Sequence, residues 1–150
     1  MGKERPRIYI SGPITLGNGR WNFFKSVETQ AQLIESGFAP LNPVLTMMLP
    51  GHQNISHEAW LEVDLPWIEC ADAVLRLPGE SAGADEEVAF AEDHNIPVFI
   101  SIETLEEWND ERGRDDDERK WREASPRQSA NGPDTSGVLA PPGRVSGDGT

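Results

Sequence analysis

A strand that leads directly into a glycine-containing helix start is the feature that most constrains the fold of this chain. The apolar run at 73–77 is typical of a buried strand, and small residues predict a helix at 83–94. Glu87 then falls in the first turn of that helix, just past the carboxyl end of the strand. Ligands of open α/β sheets bind at this edge, although a loop and helix cap with solvated acids has the same pattern.

Strands and helices alternate along the first hundred residues. Strands are predicted at 7–11, 38–41, 73–77 and 96–100, and helices at 21–36, 56–68 and 83–94. Pro66 is expected to kink the middle helix or to begin a new segment. The alternation predicts an α/β fold, an open parallel sheet of four to five strands with helices on both faces, in flavodoxin-like or Rossmann-like order.

Composition divides the chain into three parts. Residues 1–104 carry nearly all the aliphatic patterning and form the predicted α/β domain, and residues 105–124 form a charged helical extension. Residues 125–150 are rich in Ser, Pro and Gly. Such a segment buries too little apolar surface to offset its ordering entropy, so a disordered tail is predicted.

Charge and composition exclude several function classes. The net charge of −13 argues against a broad nucleic-acid surface, which needs a basic stripe. A single cysteine, Cys70, excludes an internal disulfide and a cysteine-rich metal site. No apolar run has the length of a membrane span, and the charged residues 1–7 lead straight into a strand rather than into a signal peptide. A cytoplasmic protein is therefore expected.

The glycine-rich loop at 17–20 matches no standard nucleotide motif. It lacks the Gly-Lys-Ser/Thr ending of a Walker loop, and Asn22 occupies the third glycine position of a dinucleotide fingerprint. The loop and Arg20 could hold one phosphate, or could be a plain surface loop. No metal site is predicted, because the histidines form no ligand pattern with the cysteine: His52, His57 and His94.

Two carboxylates flank the third strand in sequence. Asp64 lies on the helix before it and Glu87 on the helix after it, so both could reach the same edge of the sheet. A retaining glycosidase uses such a pair, one carboxylate to attack the anomeric carbon and the other to handle the proton of the leaving group. The alternative for Asp64 is a solvated helix acid. Near Glu87, Ser81 and the free amides of the helix start could bind a phosphate.

Three blocks of the sequence resemble the nucleoside 2-deoxyribosyltransferase superfamily. They are residues 8–14 with Asn22 and Phe23 after the glycine loop, residues 64–74, and residues 77–98. They span about the first hundred residues, in order and at nearly the spacing of the family. The chain is similar in particular to the 2'-deoxynucleoside 5'-monophosphate N-glycosidases and to short phage-type members.

The resemblance implies a role for each matching residue. Glu87 matches the nucleophilic glutamate, Tyr9 the tyrosine that orients it, and Asp64 the aspartate that assists departure of the base. Ser81 matches a phosphate-binding serine, and Arg20 approximately matches a loop arginine, although the loop here is one residue longer. The block match adds three substrate contacts: Gly83, Gly12 and Ile14.

The implied function is hydrolysis of the N-glycosidic bond of 2'-deoxynucleoside 5'-monophosphates by a homodimer, without cofactor or metal. One alternative is transfer of deoxyribose between free nucleosides, and another is a nucleotide-binding module without catalysis. A phosphoribohydrolase of the Lonely-guy type is disfavoured, because the chain lacks the Pro-Gly-Gly-x-Gly-Thr loop of that group. Asp72 also follows the family pattern, but it is expected to secure the start of a strand.

Overall fold

The computed structural model describes residues 4–124. The predicted tail at 125–150 lies outside the described residues, as do residues 1–3. Two 3₁₀ segments, Pro43–Met48 and His52–Asn54, fill most of the connection between the second strand and the second helix. The strands and helices are β1 (Arg7–Ser11), α1 (Gly19–Glu35), β2 (Ala39–Leu41), α2 (His57–Glu69), β3 (Ala73–Arg76), α3 (Ala82–Asp93), β4 (Val98–Phe99) and α4 (Ile102–Ala124).

The four strands form one parallel sheet in the order β2-β1-β3-β4. In β1, Ile8 lies opposite Pro40 on one side and Ala73 on the other, so β1 is an interior strand. The Asp72 carboxylate accepts the backbone N–H of Arg7 at 2.7 Å and secures the start of β1, next to β3. The sheet confirms the predicted open α/β fold, and its order is that of the first four strands of a flavodoxin-like sheet.

Alternation along β1 divides the core into two layers, one on each face of the sheet. Ile8 and Ile10 face a cluster that includes Leu33 of α1 and Leu105 of α4. Tyr9 faces the opposite cluster, which contains Ile68 of α2 and residues of α3. Helices therefore cover both faces, as predicted, and odd-numbered residues of β1 point toward α2 and α3.

The boundaries of α1, α2 and α3 differ from the sequence predictions by one or two residues. The α3 helix begins at Ala82, because Ser81 caps it by accepting the N–H of Ala84 at 3.2 Å. Glu87 therefore lies in the second turn of α3, and its predicted first-turn position is wrong. The α2 helix runs through Pro66 without a new segment, since Leu65 and Ile68 on either side pack on the core.

The predicted charged extension at 105–124 forms most of α4. The first turns of this helix belong to the core, since Leu105 is fully buried and Trp108 packs against Phe99 with ring centroids 5.4 Å apart. The remaining turns expose their charged side chains to solvent. Within residues 4–124, no helix combines the length and the apolar character that a membrane crossing requires.

Candidate active site

Glu87 is a buried carboxylate whose two oxygens each accept a hydrogen bond from β1. The Tyr9 hydroxyl donates to Oε1 at 2.9 Å, and the Ser11 hydroxyl donates to Oε2 at 2.6 Å. Both donors are at most 1% exposed, and Glu87 itself is 7% exposed. Because Tyr9 and Ser11 are two residues apart on a strand, they share the face that α3 covers. The carboxylate is thus fixed at the carboxyl end of the sheet.

A cavity of about 610 Å³ opens above Glu87. Its walls come from the turn after β1, the two 3₁₀ segments, α2 and the start of α3. The α2 wall consists of side chains at the spacing of one helical face, namely His57, Trp60, Leu61 and Asp64. The volume lies in the range typical of small-molecule sites, and carboxylates, an aromatic side chain and helix-start amides line it together.

Most of the predicted site residues meet in this cavity. Tyr9 lies directly behind Glu87 and holds it, as the resemblance implies. The lining includes the predicted catalytic pair and the predicted substrate contacts other than Arg20: Glu87, Asp64, Ser81, Gly83, Gly12 and Ile14.

Arg20 lies outside the cavity lining. Asn18 caps α1 by accepting the N–H of Trp21 at 3.1 Å, so the end of the glycine loop becomes the first turn of the helix. The exposed guanidinium of Arg20 then lies over the ring of Phe24, 5.7 Å from its centroid. This cap directs the arginine along α1.

The start of α3 offers hydrogen-bond donors to the cavity. Ser81 uses its oxygen to cap the helix, and its hydroxyl hydrogen can be donated to a ligand. The N–H groups of Ala82 and Gly83 belong to the first turn, where an α-helix has no internal acceptors. All three residues line the cavity, so this end of it suits an anionic group.

The family model of a domain of unknown function, DUF4406, matches residues 6–100. The chain belongs to the DUF4406 family. Among curated proteins, none matches the chain. The DUF4406 segment contains the whole sheet and every residue placed above in the site, from Tyr9 to Glu87. The family match and the cavity therefore occupy the same part of the chain.

Burial shapes the electrostatics of this site. Burial raises the pKa of Glu87 to about 7 and that of Asp64 to about 6. The pKa of Tyr9 also rises above its usual value, because the ring is buried and the charges of Glu87 and Asp64 disfavour a phenolate. Hydrogen bonds from Ser11 and Tyr9 oppose the shift of Glu87, the charge of Asp64 adds to it, and Arg76 opposes it. Both carboxyl groups therefore change their protonation state near neutral pH, as groups that act in acid–base or nucleophilic catalysis do.

Sequence reasoning missed two side chains that act on Glu87. Ser11 follows Tyr9 by two residues, and this strand spacing was a usable signal for it. Arg76, at the end of β3, donates to the Gly79 carbonyl at 2.9 Å and pairs with Asp85 at 3.0 Å. Its guanidinium secures the turn before α3 and lowers the pKa of Glu87. Nothing in the local sequence indicates that the Arg76 side chain turns toward the loop before α3.

Two of the histidines also line the cavity. His52 lies in the second 3₁₀ segment, and His57 is the first residue of α2. His57 Nε2 lies 3.2 Å from the Glu86 carboxylate, and its ring packs closely against Gly83. Within residues 4–124, no group of three or more His, Cys, Asp or Glu side chains is arranged to hold a metal ion.

Proposed function

We propose that this chain is an N-glycosidase that hydrolyses 2'-deoxynucleoside 5'-monophosphates, with Glu87 as the nucleophile. The observation that supports this most is the buried Glu87 carboxylate, anchored through both oxygens and exposed on one side to a cavity of nucleotide size. Asp64 lines the same cavity and supplies the second carboxylate that glycoside cleavage uses. The sequence resemblance points to the same pair.

In the proposed reaction, an oxygen of ionised Glu87 forms a bond to C1' while the bond from C1' to the base nitrogen breaks. The electron pair of that bond moves to the base, and protonated Asp64 gives it a proton. With pKa values of about 6 for Asp64 and about 7 for Glu87, both carboxyl groups are partly protonated near neutral pH, and the reactive form is the fraction that holds its proton on Asp64 while Glu87 is ionised. Water then attacks C1', transfers a proton to Asp64, and releases Glu87 as a carboxylate.

The 5'-phosphate is assigned to the start of α3. Ser81 and the first-turn amides provide uncharged donors there, and the partial positive charge of the helix start favours an anion. Arg20, which the sequence resemblance placed near the phosphate, points along α1 instead. Recognition of the phosphate is therefore expected to depend on Ser81 and on backbone amides rather than on an arginine.

The proposed enzyme is a cytoplasmic homodimer. It binds a small nucleotide rather than a nucleic-acid polymer or a membrane. The net charge of −13 supports the absence of a polymer partner. Two exposed aromatic side chains at the start of α1, Trp21 and Phe24, support an association between subunits. The residues proposed for the reaction need no cofactor.

One experiment separates hydrolysis from its alternatives. The protein is incubated with matched 2'-deoxynucleosides and their 5'-monophosphates, with and without an acceptor base, and products are followed by chromatography. The proposal expects free base from the monophosphates without an acceptor, and binding of the monophosphate that is tighter by about 1–3 kcal/mol. Product formation only with an acceptor base supports deoxyribose transfer. Nucleotide binding without any turnover supports a binding module.

A further inference from the structure

Ser11 is a buried hydroxyl at the end of β1 that no sequence motif assigned to the site. It is fully buried, and its Oγ donates to Oε2 of Glu87 at 2.6 Å. The backbone of Ser11 is fixed as well, since its carbonyl accepts the N–H of Leu77 at 2.7 Å and its Cα pairs with Arg76 of β3. The hydroxyl is therefore held by the sheet at a constant position beside the carboxylate.

The geometry gives Ser11 a different task from Tyr9. Tyr9 holds Oε1 and Ser11 holds Oε2, so rotation of the carboxylate about its terminal bond breaks both hydrogen bonds. A second acceptor, the carbonyl of Ala84, lies 3.5 Å from the Ser11 oxygen. When Glu87 is protonated or esterified on Oε2, the Ser11 hydrogen can turn to this carbonyl.

The other groups around Glu87 are few among the described residues. Asp64 on α2 places a like charge near it, and Arg76 on β3 places an opposite charge near it. Arg76 divides its hydrogen bonds among Asp85 and the carbonyls of Leu77 and Gly79. The two hydroxyls of β1 are thus the direct donors to Glu87, and the Ser11 bond is the shorter of them.

From this arrangement we infer that Ser11 is a positioning residue that keeps Glu87 ionised and correctly oriented for attack on the sugar. A hydrogen bond to a carboxylate stabilises the charged form and is lost when the acceptor is neutral. The catalytic consequence of this inference rests on the proposed function. Its effect on the ionisation of Glu87 is independent of that function and is measured separately.

The test compares Ser11→Ala and Ser11→Thr with the wild type over pH 5–9. Removal of the hydroxyl is expected to move the acid limb of the kcat profile up by about 1–2 pH units, the scale of a hydrogen bond to a charged group. The loss of kcat at pH 7 is then about 5–50-fold, and it becomes smaller toward pH 9. Threonine keeps the donor and restores the profile. Thr29→Val is the matched control, since it removes a buried hydroxyl that donates only to the Lys25 carbonyl.

A second measurement does not need turnover. The ¹³C chemical shift of the Glu87 carboxyl carbon is titrated in the wild type, in Ser11→Ala and in Thr29→Val. The inference predicts a higher pKa for Glu87 in Ser11→Ala alone, and this result supports it even if the protein cleaves no nucleotide. An unchanged pKa of Glu87, or a loss of activity of equal size at every pH, overturns it.

Discussion

Replacement of Glu87 by glutamine is expected to stabilise the fold at high pH while it removes the proposed nucleophile. The side chains have nearly the same volume, so the substitution leaves no cavity. The amide can replace the hydrogen bonds of the carboxylate: its oxygen accepts from Tyr9, and its nitrogen donates to Ser11, whose hydrogen turns toward the Ala84 carbonyl. The main difference between the two proteins is therefore the buried charge.

The pKa of Glu87 sets the magnitude and the sign of this difference in stability. Burial raises this pKa from 4.5 to about 7, so the native protein binds the proton more tightly than the unfolded chain does. The contribution of Glu87 to stability is thus fully present below pH 4.5 and is lost as the pH rises to 7. One pH unit corresponds to about 1.4 kcal/mol, so the total change is about 3 kcal/mol. Glutamine does not titrate, and its contribution is constant.

Urea unfolding at pH 5, 6, 7 and 8, followed by tryptophan fluorescence, measures this difference. We expect the free energy of unfolding of Glu87→Gln to exceed that of the wild type by about 2.5 kcal/mol more at pH 8 than at pH 5, because part of the total change already occurs between pH 4.5 and pH 5. Asp64 titrates in both proteins, so its contribution largely cancels. Glu92→Gln, on the exposed side of α3, is the control and is expected to show no such change. A difference that is constant over this range, or that grows toward acid, refutes the reasoning.

Two further substitutions test the geometry around the site. Gly79→Ala is expected to destabilise the protein by about 1–3 kcal/mol in thermal unfolding, because φ is +121° and a Cβ there would lie 2.8 Å from Pro13 Cγ. Gly37→Ala, at φ +89° in open space, carries the backbone strain without the clash and is expected to cost less. An equal cost contradicts the role assigned to the Pro13 contact. Arg20→Ala is expected to leave monophosphate binding unchanged, and selective weakening of the monophosphate in calorimetry would place Arg20 at the phosphate after all.

The parallel sheet was predictable because strand periodicity is local, and its order was limited to a flavodoxin-like or a Rossmann-like one. Apolar runs bounded by turn residues define β1 and β3, and helices between parallel strands leave few topologies. The same periodicity places Tyr9 on the face of β1 opposite Ile8 and Ile10. The position of Glu87 on α3 then follows to within one turn of helix.

The interior of α1 shows what local patterns miss. Apolar spacing predicts the helix, yet Phe24 is 56% exposed while Ser26 and Thr29 are buried. Ser26 is buried because its hydroxyl donates to Asn42 Oδ1 at 2.8 Å, a partner 16 residues away. Thr29 satisfies its hydroxyl on the Lys25 carbonyl. Burial of such hydroxyls depends on acceptors that tertiary structure supplies.

The cavity depended on long-range structure in the same way. Its outer wall is the connection at 43–54, which has no helical or strand periodicity in the sequence and forms two 3₁₀ segments. The direction of Arg20 depends on the Asn18 cap rather than on the glycine spacing that suggested a phosphate loop. The sequence placed Asp64 and Glu87 on their helices, but only the folded structure brings both into one cavity. Arg76 likewise acts on Glu87 only through the folded turn.

The central claim is that Glu87 attacks the sugar, and release of free base by the wild type and by Glu87 variants tests it most directly. Each of the four common 2'-deoxynucleoside 5'-monophosphates is incubated with wild type, Glu87→Ala, Glu87→Gln and the control Glu92→Gln. The account predicts that the wild type and the control release base, and that both Glu87 variants fold normally and lose at least about a hundredfold in turnover. Turnover near the wild-type rate in Glu87→Ala would contradict the account.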